Sequence, residues 1–378
     1  MEAQGIPFNR SILVGREMEY ISRSLATGQI AGDQTYSRLA QTFLEELLGV
    51  RKALVTTSCT HALEMTALLL DIGPGDEVII PSFTFVSTAN AFALRGARLV
   101  FADVRPDTFN LDESALPDLI TVRTKAIVPV HYAGVACEMM TILHLARDRG
   151  IPVIEDNAHG LFGSYHGRPL GSFGTFATQS FHETKNVTCG EGGALLINDP
   201  TYIERAEVIR EKGTDRSKFF RGQVDKYGWV DIGSSYVMSD LLAAFLYGQL
   251  EAWQLVQGHR ARVWNAYHKG LANWCRASGV RQPIVPEHCG PAYHMYYLLM
   301  PSLEVRTAFI SHMRRAGILV VFHYQPLDSS AYAERWSDQA PCPITADVSR
   351  RLVRLPFYNL MSAEEQERVM NAVLEFKV

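Results

Sequence analysis

Short apolar runs recur through the first two thirds of the chain, each closed by glycine, proline or a hydroxyl-rich stretch. Residues 52–55, 77–80, 98–101, 125–130, 152–154, 175–181 and 194–197 read as strands, with helical stretches between several of them. Residues 61–70 are apolar nearly all round, the pattern of a buried helix. The turn at 73–76 precedes the second strand, and Pro81 stops it. This rhythm predicts a mainly parallel sheet covered by helices. After a helix that runs on from Ser239 and Asp240 the pattern changes, with a strand at 293–300, a helix at 303–316 and a strand at 318–324. The expected architecture is α/β: an N-terminal arm over 1–35, a large domain over 36–251 and a smaller C-terminal α+β domain over 252–378.

In open parallel sheets, ligands sit beyond the carboxyl ends of the strands. The sequence places suitable groups there in chain order. Residues 56–60 (TTSCT) stand between a strand and a helix, where backbone N–H groups and hydroxyls can cradle a phosphate; taken alone, they are equally a simple helix cap. Residues 81–88 (PSFTFVST) offer Phe83 and Phe85, one to lie against a ring and the other for the core. Asp156 and His159 follow the strand at 152–154, and Lys185 follows the strand at 175–181, before the glycine turn 189–193. A lysine and an aspartate at neighbouring strand ends suit pyridoxal phosphate. The lysine links covalently to the cofactor, and the aspartate keeps its ring nitrogen protonated so that the ring can draw in electrons.

Composition narrows the alternatives. The chain has 378 residues, 47% of them apolar, enough for two cores. A net charge of −4 gives no reason to expect nucleic acid or an anionic membrane as partner. Six scattered cysteines without a CxxC pair read as reduced thiols, and no run approaches a membrane span, so a cytoplasmic protein is expected. His182-Glu183 opens like a zinc HExxH, but the fifth position is Asn186, and no metal site is expected. No GxGxxG follows the first strand, which disfavours a nicotinamide-dependent oxidoreductase.

Six blocks carry a family resemblance: 81–91 (PSFTFVSTANA), 129–137 (PVHYAGVAC), 180–186 (SFHETKN), 210–217 (REKGTDRS), 219–227 (FFRGQVDKY) and 231–236 (DIGSSY). In them the chain resembles the sugar-nucleotide aminotransferases of the fold-type-I pyridoxal-phosphate superfamily. It is most similar to the dTDP-4-amino-4,6-dideoxygalactose transaminases, with a match from about Ile6 to Phe376. The resemblance implies pyridoxal 5'-phosphate, L-glutamate as amino donor, a dTDP-4-keto-6-deoxyhexose as acceptor and a homodimer with shared active sites. It implies that Lys185 holds the cofactor and moves the proton, and that Asp156 pairs with the ring nitrogen. Phe85 then stacks on the ring, and His159 stands beside its phenolic oxygen. Cys59, Thr60 and Ser180 match phosphate-binding positions, while His323 and Tyr324 match a loop facing the sugar nucleotide. The expected product is the galacto epimer with an axial amine, and the alternative is the gluco epimer. A non-catalytic regulator on the same fold is a more distant alternative, against which the intact Lys185 and Asp156 argue.

Departures from the resemblance fall at Cys59, where many relatives have glycine, at Val237, where they have asparagine, and at Asp328, where they usually have histidine. Asp328 is therefore a place where the sugar's pose could change. Cations cluster over 205–226, mixed with acids in the helical part up to Lys212 and in excess on the expected loop beyond Gly213. There Arg216 and Arg221 are candidates for phosphate oxygens of the substrate, and the segment 213–229 is the expected donation to the partner's site. Of the other histidines, His131 is a candidate pocket residue, and His144, His166, His259, His268, His288 and His312 read as surface.

Overall fold

The computed structural model describes residues 5–336 and 339–378, so the first four residues of the expected arm lie outside the described residues. The strands are β1 Lys52–Thr56, β2 Glu77–Pro81, β3 Arg98–Ala102, β4 Thr124–Ile127, β5 Ile154–Asp156, β6 Ser164–Tyr165, β7 Arg168–Pro169, β8 Phe176–Ser180, β9 Gly193–Ile197, β10 Cys289–Gly290, β11 Tyr297–Leu299, β12 Val321–Phe322 and β13 Leu352–Arg354. Two sheets, β1-β9-β8-β5 and β3-β2-β4, lie edge to edge. The parallel bridges Ile127–Val153 and Val130–Asp156 join them. Among the described strands of these two sheets, only β9 runs against its neighbours. The link from β8 to β9 contains no crossover helix, so the chain must turn back beside its own strand. That turn holds Lys185 at the carboxyl end of β8.

Helix Cys59–Leu69 lies on β8 and β9, burying Leu63, Ala67 and Leu68 with Leu54 and Leu195. On the other face, helices Glu17–Thr27, Thr35–Leu48 and Asp240–Glu251 close a second layer around Leu44, Val55, Leu196 and Leu246. Close approach forces the glycine at 193: a Cβ there would run into the backbone of Ser58 and Cys59, where β9 meets the helix start.

Helix Trp253–Ala277 leads into a separate core of Tyr267, Leu271, Tyr296, Phe309 and Val369, beside the antiparallel sheet β11-β13-β12. Part of the expected N-terminal arm belongs to this core. Ile6 is buried there and bridges Ile318 in parallel. The strands expected at 293–300 and 318–324 are much shorter than the apolar runs. The carbonyls of Tyr293 and His294 accept hydrogen bonds from the buried Arg260 guanidinium (2.8 and 2.5 Å), which draws that backbone out of a ladder. Leu319 is taken by Ile6, and Tyr324, at φ 34°, turns the chain away. The hairpin β6–β7, which the hydrophobic pattern did not signal, turns on His166 and Gly167, both at positive φ as this tight turn requires. The segment expected as a loop beyond Gly213 contains the short helix Arg216–Phe220. Among the described residues no helix is long and apolar enough to cross a membrane, and no three metal-ligating side chains cluster.

Candidate active site

A cavity of about 760 Å³ opens at the carboxyl ends of β5 and β8, between the large sheet and the C-terminal core. Its large-domain wall carries Cys59, Thr60, Phe85, Asp156, His159, Ser180 and Lys185; the opposite wall carries His323 and Tyr324. These nine sequence candidates therefore converge on one space.

Ser58 caps helix Cys59–Leu69, its hydroxyl accepting from the His61 N–H at 3.1 Å. Cys59 and Thr60 occupy the first helical positions, whose N–H groups find no partner within a helix. The local reading as a cap and the reading as a phosphate cradle are thus both served, because the cap leaves the first N–H groups available to an anion. Thr60 Oγ1 lies 2.7 Å from Ser87 Oγ. Burial pushes the Cys59 thiol far up, so that side chain is a neutral wall.

Asp156 is buried at the tip of β5. Its Oδ2 accepts from Thr88 Oγ1 (2.7 Å) and its Oδ1 from the Ala158 N–H (3.2 Å). Burial raises its pKa, opposed by those two bonds and by the charges of Lys185 and His131. A carboxyl group held this way gains from a cationic N–H placed against it. Burial also draws Lys185 down to about 8, with Cys59 and Asp156 pulling it up and Arg354 pushing it down. The lysine loop is fixed on its far side through Asn186. That side chain donates to Ala292 O (2.6 Å) and accepts from His294 Nδ1 (3.0 Å), while its carbonyl accepts from Asn359 (2.8 Å).

The two phenylalanines separate cleanly. Phe83 is buried against Phe109, Tyr132 and Tyr324, whereas Phe85 is 56% exposed and faces the cavity. His159 stacks on His294 at 4.2 Å and its Nε2 meets the Tyr324 hydroxyl at 3.3 Å. Its Nδ1 is buried without a partner. Burial first, then Lys185 and Arg354, holds this imidazole well below its ordinary value, so it is neutral. His323 is likewise kept neutral by burial and bonds the Tyr132 hydroxyl at 2.8 Å.

Several expectations need correcting. His131 does not line the pocket: it is fully buried behind β5, its Nδ1 accepting from the Cys137 N–H and its Nε2 donating to Glu155 at 3.0 Å. His259 is buried instead of surface. Asp328 does not face the cavity. One of its oxygens accepts from Ser82 Oγ (2.5 Å) and the other from the Cys342 N–H (3.2 Å), so it staples the 322–328 loop to the end of β2. Arg216 and Arg221 do not reach this chain's cavity. Arg221 pairs with Glu207 at 2.8 Å, and Arg216 lies over Phe220 and 3.9 Å from Glu211. The cavity also contains residues the sequence did not single out: Phe8, Thr88, His294, Phe357 and Arg354. No local motif marks them, and only the fold brings them in.

Taken together, a buried acceptor, free N–H groups at a helix start, an exposed aromatic ring and a lysine whose pKa burial lowers to about 8 fit a phosphorylated aldehyde with a basic ring nitrogen, which pyridoxal phosphate is.

Comparison with known proteins agrees with this chemistry. Residues 12–374 match the model of the DegT/DnrJ/EryC1/StrS aminotransferase family. An uncharacterized protein of Methanocaldococcus jannaschii is 32% identical over 334 residues, covering 86% of each chain. The aminotransferase TlmJ from Streptoalloteichus hindustanus superposes with a TM-score of 0.87 at 28% identity, over 99% of this chain and 98% of its own. The PLP form of Spr1654 from Streptococcus pneumoniae gives 0.88 at 25%, over 97% of each chain.

Proposed function

Because the chain belongs to the DegT/DnrJ/EryC1/StrS aminotransferase family, we propose that its cavity moves an amino group from L-glutamate to carbon 4 of a dTDP-4-keto-6-deoxyhexose. The protein is a pyridoxal-phosphate-dependent sugar aminotransferase. The observation that carries the transaminase reading is the meeting of Lys185 and Asp156 in one cavity with the N–H groups that start helix Cys59–Leu69. The sugar-nucleotide acceptor rests on the resemblance in residues 81–91, 180–186 and 210–217.

When bound, pyridoxal phosphate supplies a carbonyl that exchanges amino groups and a ring that draws electrons from the substrate carbon. The N–H groups of Cys59 and Thr60, with the Ser180 hydroxyl, would hold its phosphate. Asp156, oriented by Thr88, would keep the proton on its ring nitrogen. Phe85 would supply the aromatic contact to the ring. The Lys185 amine, neutral in a useful fraction because burial lowers its pKa to about 8, takes the proton from the donor's α-carbon. It then delivers a proton to carbon 4 of the sugar. His323 and Tyr324 contact the sugar nucleotide. Lys185 and Asp156 are also the reason to set aside a non-catalytic regulator on this fold.

Product analysis tests the reading. Incubation with L-glutamate and dTDP-4-keto-6-deoxyglucose should give a 4-amino sugar, and the proton couplings at carbon 4 report its configuration. Small couplings are expected, for the axial amine of the galacto product. Large couplings would establish the gluco epimer, and no amino sugar would overturn the acceptor assignment. Asp328 is spent on Ser82, so it offers no ground for a changed sugar pose.

The working unit is proposed to be a homodimer sharing its active sites. Phe220, Tyr227, Trp229, Val230 and Ile232 stand exposed on the 213–232 segment, an apolar surface larger than isolated residues leave on a monomer. A partner covering this segment would receive Arg216 and Arg221 beside its own cavity. Mixing inactive Lys185→Ala chains with Arg221→Ala chains should restore activity. With subunit exchange verified, no recovery at any mixing ratio would count against shared sites.

A further inference from the structure

Arg260 is only 2% exposed, on the long helix Trp253–Ala277. Among the described residues no carboxylate answers its charge. Burial is the one influence on its pKa, which falls to about 9 and leaves the group a cation at neutral pH. Its guanidinium lies 4.6 Å over the Phe357 ring, and its hydrogen bonds go to neutral oxygens. A charge kept this way costs free energy that an apolar side chain of similar volume would not. The core beside it, with Tyr267, Leu271 and Phe309, is apolar and needs no cation.

The guanidinium closes a ring of hydrogen bonds. Its Nη1 donates to Asn359 Oδ1 (2.8 Å), and Asn359 Nδ2 donates to the Asn186 carbonyl (2.8 Å). Its Nη2 donates to the His294 carbonyl (2.5 Å), and His294 Nδ1 lies 3.0 Å from Asn186 Oδ1. Burial keeps His294 neutral. Asn186 Nδ2 is already given to Ala292 O, so Asn186 Oδ1 accepts and the His294 proton sits on Nδ1. All four bonds of the ring are buried, where a satisfied network rigidifies its members. Both branches from Arg260 therefore end on Asn186, the residue next to Lys185. His294 also stacks on His159 at 4.2 Å, so the same ring steadies a second cavity group.

We propose that Arg260 is a positioning residue for the amino transfer: it grips Asn186 from two sides and so sets where the Lys185 amine stands relative to His159 and the cofactor. This rests on the role given to Lys185 above. Arg260 itself does not line the cavity. Without the guanidinium, Asn359 and the His294 carbonyl lose their donor, the lysine loop loosens, and water reaches the amine.

In Arg260→Gln holoenzyme, the donor and sugar half-reactions should both slow on the order of 100-fold, as for a reacting group displaced by about 1 Å. The L-glutamate concentration for half-maximal rate should stay within about threefold, since no donor contact is removed. Arg260→Lys should recover part of the rate, because it keeps the charge without the fork. On apoprotein, the pH profile of Lys185 acetylation, read by mass spectrometry, should have its midpoint near 8 in the wild type. In Arg260→Gln that midpoint should move up toward that of an ordinary lysine. Cys59, Asp156 and Arg354, which act on this amine's charge, are left in place, so the shift reports the loop. Asn359→Ala cuts one branch and should show the same pattern more weakly. Combined with Arg260→Gln, it should lose well short of the product of the two single losses. Should Arg260→Gln fail to fold, Asn359→Ala and its acetylation profile decide alone. A lower melting temperature with rates and midpoint unchanged, or losses that multiply in the double variant, overturns the proposal. So do slower rates with an unmoved midpoint. If the wild type ignores L-glutamate, the donor reading has failed, yet the acetylation midpoint, taken without cofactor or donor, still decides for or against Arg260.

Discussion

Replacing Lys185 with alanine is expected to abolish turnover and the visible absorbance of the lysine-bound cofactor, while the chain still folds and its N–H cradle still binds phosphate. The size of the effect follows from the two roles proposed for one amine. Among the described residues it is the only lysine lining the cavity, so no other lysine there can replace the covalent link. It is also the proposed proton carrier, and a positioned acid–base group alone contributes about 10²–10⁴-fold. At a pKa of about 8, roughly a tenth of the amine is neutral at pH 7, against under about one in a thousand for an ordinary lysine. Folding should survive because the loop is held by Asn186 and not by the lysine. Asn186 binds Ala292, His294 and Asn359, and none of these bonds involves the Lys185 side chain. The measurement is exchange between L-glutamate and 2-oxoglutarate, read with the absorbance spectrum. Wild-type exchange in Lys185→Ala would remove the lysine from the mechanism.

The lysine and the aspartate could be found in the sequence because each follows an apolar strand whose end is fixed by the sheet itself. A parallel sheet gathers its carboxyl ends on one rim, so residues 29 apart in the chain, Asp156 and Lys185, become neighbours without any long-range guess. Phe83 and Phe85 show the limit of that logic: two residues apart on an extended segment they would share a face, and what separates them is the turn into helix Val86–Ala93 and the packing of Phe83 against Phe109 and Tyr132. The small-domain wall was less legible for a different reason. Arg354 ends β13, a strand that the hydrophobic pattern did not single out, just before the run 355–358. Its meaning comes from the cavity it faces, which β11, β12 and β13 create together. His294 was hidden in an apolar run that looked like continuous strand, yet Arg260 breaks that run by binding its carbonyls. Asp328 misled in the opposite direction. Its place after a loop expected to face the sugar suggested a contact, whereas a serine at the end of β2 offered a closer partner. Local pattern thus located the groups that strands position, and missed or misplaced those that side-chain competition positions.

For Asp156→Asn, the expected result is a fall in kcat on the order of 10²–10³-fold, with the lysine-bound absorbance still present. Asparagine keeps the shape of the side chain and can still accept from Thr88 Oγ1 or the Ala158 N–H, so the strand end should stay in place. What disappears is the negative charge. In the wild type, burial works against that charge and raises the carboxyl's pKa, while Thr88, Ala158, Lys185 and His131 work for it. In the proposed site the cofactor's ring N–H⁺ would add a further cation, which favours the ionised carboxyl at neutral pH. With asparagine the exchange runs in reverse: a neutral amide cannot hold the ring proton, the ring nitrogen loses it, and the ring draws electrons less strongly from the carbon that must give up its proton. Losing one preorganised electrostatic partner costs about 3–4 kcal/mol in other enzymes, which corresponds to the stated fall in rate. The loss should fall on proton transfer, so a donor deuterated at its α-carbon should show a larger isotope effect on kcat in the variant than in the wild type. The covalent link depends on Lys185 and should form in both. A near-normal kcat would mean that some other group faces the ring nitrogen, and would shift the search to the neighbours of His159 and His294 on the same wall.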